Sequence, residues 1–540
     1  MSFGDRLYQI TTRMRPDRVR DYLMTLSPRM TWLALLGLGL FSGLSTSPIH
    51  FFPALIFGLT GLIWLLDSSL DAEKPMRSAF WRTFLFAWAY LGIGVFWVAF
   101  AFWNRGGLYV FFGPFVALGG GAFLAAFWGV AGALYARLKL RGPFRILAFA
   151  ILILAAEAAK GLPFTQFPWN LPAHVFPAGG AVSQSAAWFG AWGLSFLVLV
   201  MFSSPAALAG PGAGTQRRLP LLASLLVLAA LYAGGTQRLS RVETAYQDNI
   251  VIRLVNVDID QQTKWAPGGD ELARSRYLEL TASEGVENVT HIVWPEGALP
   301  LFLIEDSQAI SALTEILTQG QTLLAGTPRR ELIENNQYRY YNSLVAIAFS
   351  EERPRVLGLY DKVYLVPFGE AVPFSDALSS LGIRSLQELV AGYSPGAELV
   401  TLENTGAPPF LPLICYEVVF SGLRANSDTR PEWILNISND AWFGPTAGPV
   451  QHLNIARYRA IETGLPIIRS ASRGYSGVID SYGRMPVHVD RRYDGITDVR
   501  LPAPGPRTLF MITSGLFFWL TYILSICLVA VIVMNSRVRE

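Results

Sequence analysis

Two patterns of apolar residues divide this chain. Up to residue 240, and again near the end, apolar residues run on for lengths that suit a membrane. Between those regions they come in short runs separated by charge. A helix crossing a bilayer core needs about 20 consecutive, mostly apolar residues. Stretches 78–102, 112–136, 144–160, 186–209, 219–235 and 508–534 fit, and 30–44 and 50–66, separated by "STSPI", add two more. The expectation is eight spans, seven before residue 240 and one at the end.

The middle segment reads differently. Val-, Ile- and Leu-rich runs at 249–257, 289–295, 321–328, 342–349, 411–417, 432–438, 466–471 and 475–481 predict strands. Stretches 269–285, 307–319 and 449–464 set apolar positions at helical spacing against charges on the other face. Buried strands with helices between them point to sheets covered by helices, an α/β or α+β sandwich. About 260 residues is ample for one large core. The expected organisation is residues 1–240 as a tail and seven membrane helices, 241–505 as a folded domain, and 506–540 as an eighth helix and tail.

Composition strengthens the membrane reading. The chain is 52% hydrophobic and 15% charged, with mean hydropathy +0.35, too apolar for a soluble protein of this length. A net charge of +3 and the lack of a basic run argue against nucleic acid as a partner. Arg6, Arg13, Arg15, Arg18, Arg20 and Arg29 precede the first span. If they are cytoplasmic, so are the connections carrying Lys74 and Arg77, then Arg137, Lys139, Arg141 and Arg145, then Arg217 and Arg218, and finally Arg537 and Arg539. The intervening connections carry almost nothing, His50, Arg105 and Lys160, so the positive-inside rule is obeyed throughout and the middle segment faces outward. The apolar stretch begins only after residue 29 without a small-residue cleavage site, so a retained first span is expected rather than a removable signal.

That compartment bears on "LPLICYEVVF". The chain has two cysteines, Cys415 here and Cys527 inside the last span, so Cys415 has no disulfide partner within reach. Outside the cytoplasm an unpaired thiol is either a small buried hydrophobe or a reactive group. Histidine is the usual base for a thiol, but His291 and His452 stand in no Cys–His protease signature, and no His/Cys/Asp group has metal-ligand spacing. Carboxylates at strand ends are the better candidates. "VWPEGALP" puts Glu296 at a strand's C-terminal rim, where ligands of α/β folds tend to sit. In "YDKVYLVPFGEAVPF", Lys362 is flanked by apolar residues and Glu370 follows eight positions later. A lysine there is desolvated unless an acid pairs with it, or else snorkels to the surface.

In that order, Glu296, Lys362 and Cys415 resemble the Glu-Lys-Cys triad of the nitrilase (carbon–nitrogen hydrolase) superfamily, carried by "WPEGALP", "YDKVYLVPFGEAVPF" and "ICYEVVF". With seven spans before and one after, the chain resembles one membrane branch of it, the apolipoprotein N-acyltransferases. "SNDAWFG", "GPVQHLNIARYRAIE", "TQFPWN" and "KWAP" are close to that family's pattern. "VNVDIDQ" stands where the family often has Gln-x-Asn, and Ser472 and Arg473 replace an Asn-rich turn.

The resemblance implies an eight-helix bundle bearing an extracytoplasmic α-β-β-α sandwich in the cell inner membrane, with both termini cytoplasmic. It implies a two-step acyl transfer. Cys415 takes the sn-1 chain of a phospholipid, phosphatidylethanolamine or phosphatidylglycerol, as a thioester, and passes it to the α-amine of an apolipoprotein's diacylglyceryl-cysteine. Glu296 would be the general acid–base, and Lys362 with the Tyr416 N–H would stabilise the oxyanion. Glu370 would position the lysine, while Tyr416 and Glu417 shape the pocket. Trp265, Trp442 and Phe443 would belong to substrate-entrance loops, and Trp169, with Trp188 and Trp192, to the outer membrane interface. For the aromatics, plain packing or an interfacial belt is the alternative. A monomer without cofactor or metal is expected. The same triad also allows a membrane-anchored amidase with water as acceptor. A transporter fits less well, since the spans are nearly free of charge, with Arg82 and Glu157 lying toward the ends of theirs.

Overall fold

The structure, a computed structural model, describes residues 15–107, 109–161, 166–240, 242–350, 353–371 and 392–538, without the side chains of 105, 335 and 536–538. Arg6, Arg13 and Arg539, the side chains of Arg105 and Arg537, and the ends of "TQFPWN" and "YDKVYLVPFGEAVPF" lie outside the described residues. The chain divides into two compact units. One comprises Met1–Trp103, Leu108–Ser240 and Ile512–Glu540, the other Asn104–Gly107 and Arg241–Met511.

The first unit is helical. Its helices are α1 (Pro16–Met24), α2 (Pro28–Ser42), α3 (Pro53–Asp67), α4 (Pro75–Val95), α5 (Val98–Arg105), α6 (Tyr109–Leu138), α7 (Phe144–Lys160), α8 (Ala186–Ser203), α9 (Gly214–Ser240) and, at the end, α14 (Leu516–Val538). Helix lies over every predicted span, yet the count of eight is not reached by length and apolarity. Among the described residues, four helical stretches suffice, Tyr109–Leu138, Val182–Leu208, Gly214–Ser240 and Leu516–Asn535, and α4 with α5, bent by 45°, makes a fifth. At 1.5 Å per residue, the 15 residues of α2 or of α3 reach only about 22 Å against a core of about 30 Å.

Charges in this unit also depart from expectation. Lys160, assigned above to an outer connection, ends α7 buried and ion-paired to Glu157 at 2.8 Å. The Trp128 indole donates to the same glutamate at 2.6 Å. Arg145, assigned to a cytoplasmic connection, is buried beside Asp67 at 3.4 Å. Pairing is what makes such charges tolerable among apolar helices.

The second unit holds two sheets. Strands β1 (Tyr246–Asn256), β2 (His291–Trp294), β3 (Thr322–Ile333), β4 (Gln337–Ala348), β5 (Arg355–Asp361) and β11 (Gly495–Pro502) form one in the order β11-β1-β2-β3-β4-β5. Strands β6 (Phe410–Ile414), β7 (Trp433–Asn439), β8 (Ile467–Ser472), β9 (Ser476–Ile479) and β10 (Val487–Val489) form the other in the order β10-β9-β8-β7-β6. β1, β2 and β3 are parallel, as are β6, β7 and β8, and their flanks are antiparallel.

Strand alternation sorts the side chains into layers. Leu254, Val293 and Leu324 of the first sheet pack with Leu413, Leu435 and Ile437 of the second. Their neighbours Val255, Trp294 and Ala325 face the other way, against α11 (Gly269–Thr281) and α12 (Ser307–Ile316). Helix α13 (Gly448–Thr463) adds Leu453, Ala456 and Ala460 to the inter-sheet core cluster. The unit is thus a mixed α/β sandwich with parallel strand centres. A short helix, α10 (Gln261–Trp265), follows β1, started by Asp260, whose carboxylate accepts the Thr263 N–H.

Candidate active site

The ends of β2, β5 and β6 deliver the three groups. Glu296 follows β2 after Pro295, in a turn whose next residue, Gly297, has φ +55°. β3 passes close behind it, because a Cβ at Gly326 would stand 2.6 Å from the Glu296 Cα and from the Pro295 oxygen. Only glycine lets the strands approach so nearly. The Glu296 carboxylate is 7% exposed. Its Oε1 accepts from the Asn342 amide at 2.7 Å and from Lys362 Nζ at 3.3 Å. Oε2 accepts the Asn439 N–H at 2.7 Å, a bond from the end of β7 in the opposite sheet.

Lys362 comes directly after β5 and is 1% exposed. Its main-chain N–H is held by the Asn342 oxygen at 2.8 Å, and its Nζ donates to Glu370 at 2.9 Å as well as to Glu296. Asn342 completes a ring by donating also to Glu370 at 2.9 Å. Burial alone would lower the Lys362 ammonium, but Glu296 and Glu370 beside it outweigh burial and hold it well above its ordinary value.

Cys415 sits where the sequence pattern misleads. The strand predicted through residue 417 stops at Ile414, and Cys415–Val419 is a 3₁₀ turn. Cys415 itself has φ +49°. A non-glycine residue in the left-handed region is strained and persists only when its surroundings enforce it. Strand alternation therefore does not set Glu417 beside the thiol. Burial, followed by the negative charge of Glu296, pushes the Cys415 thiol well above its ordinary range, and Lys362 opposes both. The acid and the ammonium thus both act on the sulfur, and at neutral pH it is a thiol that needs a base to ionise.

Glu417 is a brace. It is fully buried; Oε1 accepts from the Tyr360 hydroxyl at 2.7 Å and from the N–H groups of Val363 at 2.7 Å and Tyr364 at 3.2 Å, and Oε2 from the Ile414 N–H at 2.7 Å. It ties the loop after Lys362 to the residue before Cys415. Burial pushes it up to about 7, against the pull of these donors.

Tyr416 is buried with its ring edge-on to Phe420, centroids 5.5 Å apart. Trp265, 64% exposed at the end of α10, offers its face to solvent, with its indole N–H donated to Gln261. Trp442 is half-buried. Phe443 is buried edge-on against His452, 5.6 Å between centroids. Trp169 is 2% exposed, its ring 4.8 Å from Trp97 and 6.0 Å from Phe167.

Other groups escaped the sequence reading. Asn342 looks like the first residue of a strand, and nothing local marks it as the amide shared by two acids. Lys264 is buried, donates to the Gly297 carbonyl and lies in the field of Glu296; burial lowers it to about 8. Cys415, Asp440 and His452 converge, with potential ligand atoms all within 4.8 Å, although no spacing announces it. Arg469 already donates to Asp440 at 2.8 Å and lies 3.2 Å from His452 Nδ1, so a guanidinium holds the positive charge that a metal would bring.

Residues 252–503 match the carbon–nitrogen hydrolase family. Residues 38–204 match the apolipoprotein N-acyltransferase N-terminal domain. Among curated proteins, the chain is 38% identical over 483 residues to an apolipoprotein N-acyltransferase of Caulobacter vibrioides, covering 88% of this chain and 89% of the relative. It is 35% identical over 488 residues to one of Rhodopseudomonas palustris, covering 88% and 90%. The chain belongs to the apolipoprotein N-acyltransferase family.

Proposed function

We propose that the protein transfers the sn-1 acyl chain of a phospholipid, through a thioester on Cys415, to the α-amine of the N-terminal S-diacylglyceryl-cysteine of apolipoproteins. The observation that carries this is the linkage of Glu296 to Lys362, with the charges of both acting on the Cys415 thiol. Family membership supports the acceptor, and the apolar helices support a lipid donor. The alternation of basic connections supports a periplasmic domain on the inner membrane.

In the first step the Cys415 proton passes to Glu296 as sulfur attacks the ester carbonyl. The carbonyl oxygen becomes an oxyanion facing Lys362 and the Tyr416 N–H. The C–O bond then breaks, Glu296 returns the proton to the leaving alkoxide, and a lysophospholipid departs. In the second step the ammonium of the acceptor loses one proton before attacking the thioester. A second passes through Glu296 to the sulfur as the C–S bond breaks. Keeping the acyl chain among lipid avoids about 0.8 kcal/mol per CH₂ of exposure to water.

The test uses purified protein and a phospholipid labelled in its sn-1 chain. A hydroxylamine-sensitive label should appear on the protein, vanish in Cys415→Ala and Cys415→Ser, and move to the N-terminus of an added diacylated lipopeptide. Label discharged only to water would favour an amidase, and no label at all would reject the thioester.

A further inference from the structure

The strained backbone of Cys415 needs something to hold it, and the structure supplies it from behind. His452, on α13, is buried, with Nε2 3.1 Å from the Cys415 carbonyl oxygen. A carbonyl only accepts, so Nε2 carries the hydrogen. On its other side, Nδ1 lies 3.0 Å from Asp440 Oδ1 and 3.2 Å from Arg469 Nη2. Asp440 is itself fixed by Arg469 and by the Ser438 hydroxyl, which donates to it at 2.6 Å. The same helix grips the rest of the turn: Arg459, two turns on, donates to the Val419 carbonyl at 3.2 Å, and Glu462 accepts from Ser421 at 2.8 Å.

We infer that His452 is a positioning residue, which by holding the Cys415 carbonyl sets the Cys415–Tyr416 peptide plane and aims the Tyr416 N–H at the developing oxyanion. The inference rests on the proposed acyl transfer. The peptide group is planar and trans, so its C=O and N–H point in opposite directions and fixing one end fixes the other. No sheet ladder sets this plane, because β6 ends at Ile414, one residue earlier. Asp440 and Arg469 in turn hold the imidazole against rotation. The histidine thus serves the nucleophile through its main chain, and the base remains Glu296.

The test compares two reactions of the same sulfur. Acylation by a p-nitrophenyl acyl ester forms the S–C bond, breaks C–O, sends the thiol proton to Glu296 and passes through an oxyanion. Alkylation by iodoacetamide displaces iodide and forms none. His452→Phe keeps the ring's bulk without the donor, and His452→Asn ends its amide near the place of Nδ1, short of the carbonyl. Both should slow acylation on the order of 10²-fold while alkylation stays within about threefold, and His452→Gln, whose amide reaches the Nε2 position, should recover at least about tenfold of the loss. Equal falls in both reactions, unchanged acylation, or a Gln variant no better than Asn would overturn the inference. So would wild-type protein that the ester fails to acylate. If the His452→Phe protein does not fold, the Asn and Gln pair decides. Wild-type protein acylated by the ester but not by phospholipid would sink the proposed donor alone.

Discussion

Asn342 has one amide nitrogen and shares it between Glu296 and Glu370, with the Lys362 ammonium as their common counter-charge. Removing that charge in Lys362→Met takes away the ammonium that faces the oxyanion, and thioester formation should fall by about 10²- to 10³-fold. A variant that forms the thioester at the wild-type rate would mean that the lysine serves only to tie the two acids together. Glu417 gives a pH signature. Its folded value of about 7 lies above an ordinary 4.5, so in that interval the folded chain holds a proton the unfolded chain has released. Its contribution to stability is full below about 4.5 and is lost as pH rises toward 7. Glu417→Gln, which cannot titrate, should flatten the fall in melting temperature between about pH 5 and about pH 7. A slope equal to wild type would assign it to another group.

Among the elements, the short turn at Cys415–Val419 opens on a strained residue. In a regular helix or strand, glycine is about 0.5–1 kcal/mol less stable than alanine. At φ +49° that order should disappear or reverse, because only glycine enters the left-handed region without steric cost. Melting temperatures of Cys415→Gly and Cys415→Ala in one detergent test this, and a clearly less stable glycine variant would show that the turn relaxes. The pair at the end of α7 makes a second case. Glu157→Ala alone removes a counter-charge of buried Lys160 and should cost about 3–5 kcal/mol, whereas a Glu157→Leu, Lys160→Met double variant should approach neutrality. Comparable losses in both would point to a role beyond mutual neutralisation.

Across the molecule, what could be read from sequence follows what is local. β1, β2, β4 and β7 are legible because their runs of Val, Ile and Leu are buried on both faces. β5, β10 and β11 are not, since they lie at or near sheet edges, half exposed and mixed with charge. The triad is legible because each member sits in a distinctive word beside a strand end. Asn342, Asp440 and His452 are not, because what they do depends on partners up to 46 residues away. Apolar runs predict more spans than helix length and apolarity together mark among the described residues; α3, for one, is short and buried along most of its length. Orientation can be tested directly. In a background without Cys415 and Cys527, a membrane-impermeant maleimide added to intact cells should label Glu287→Cys and spare Arg218→Cys. The opposite pattern would invert the topology.

The bond from the Asn439 N–H to Glu296 joins a strand end of one sheet to a strand end of the other. The acid is therefore a calliper on how the two sheets are docked. A slip of half an ångström between them, far too small to unfold the domain, would open that jaw. Sandwich substitutions at the far end of the strands from the sulfur, such as Ile467→Val, should then dim turnover while the protein still elutes and melts as a folded chain, so that the reaction itself measures how well the two layers are seated.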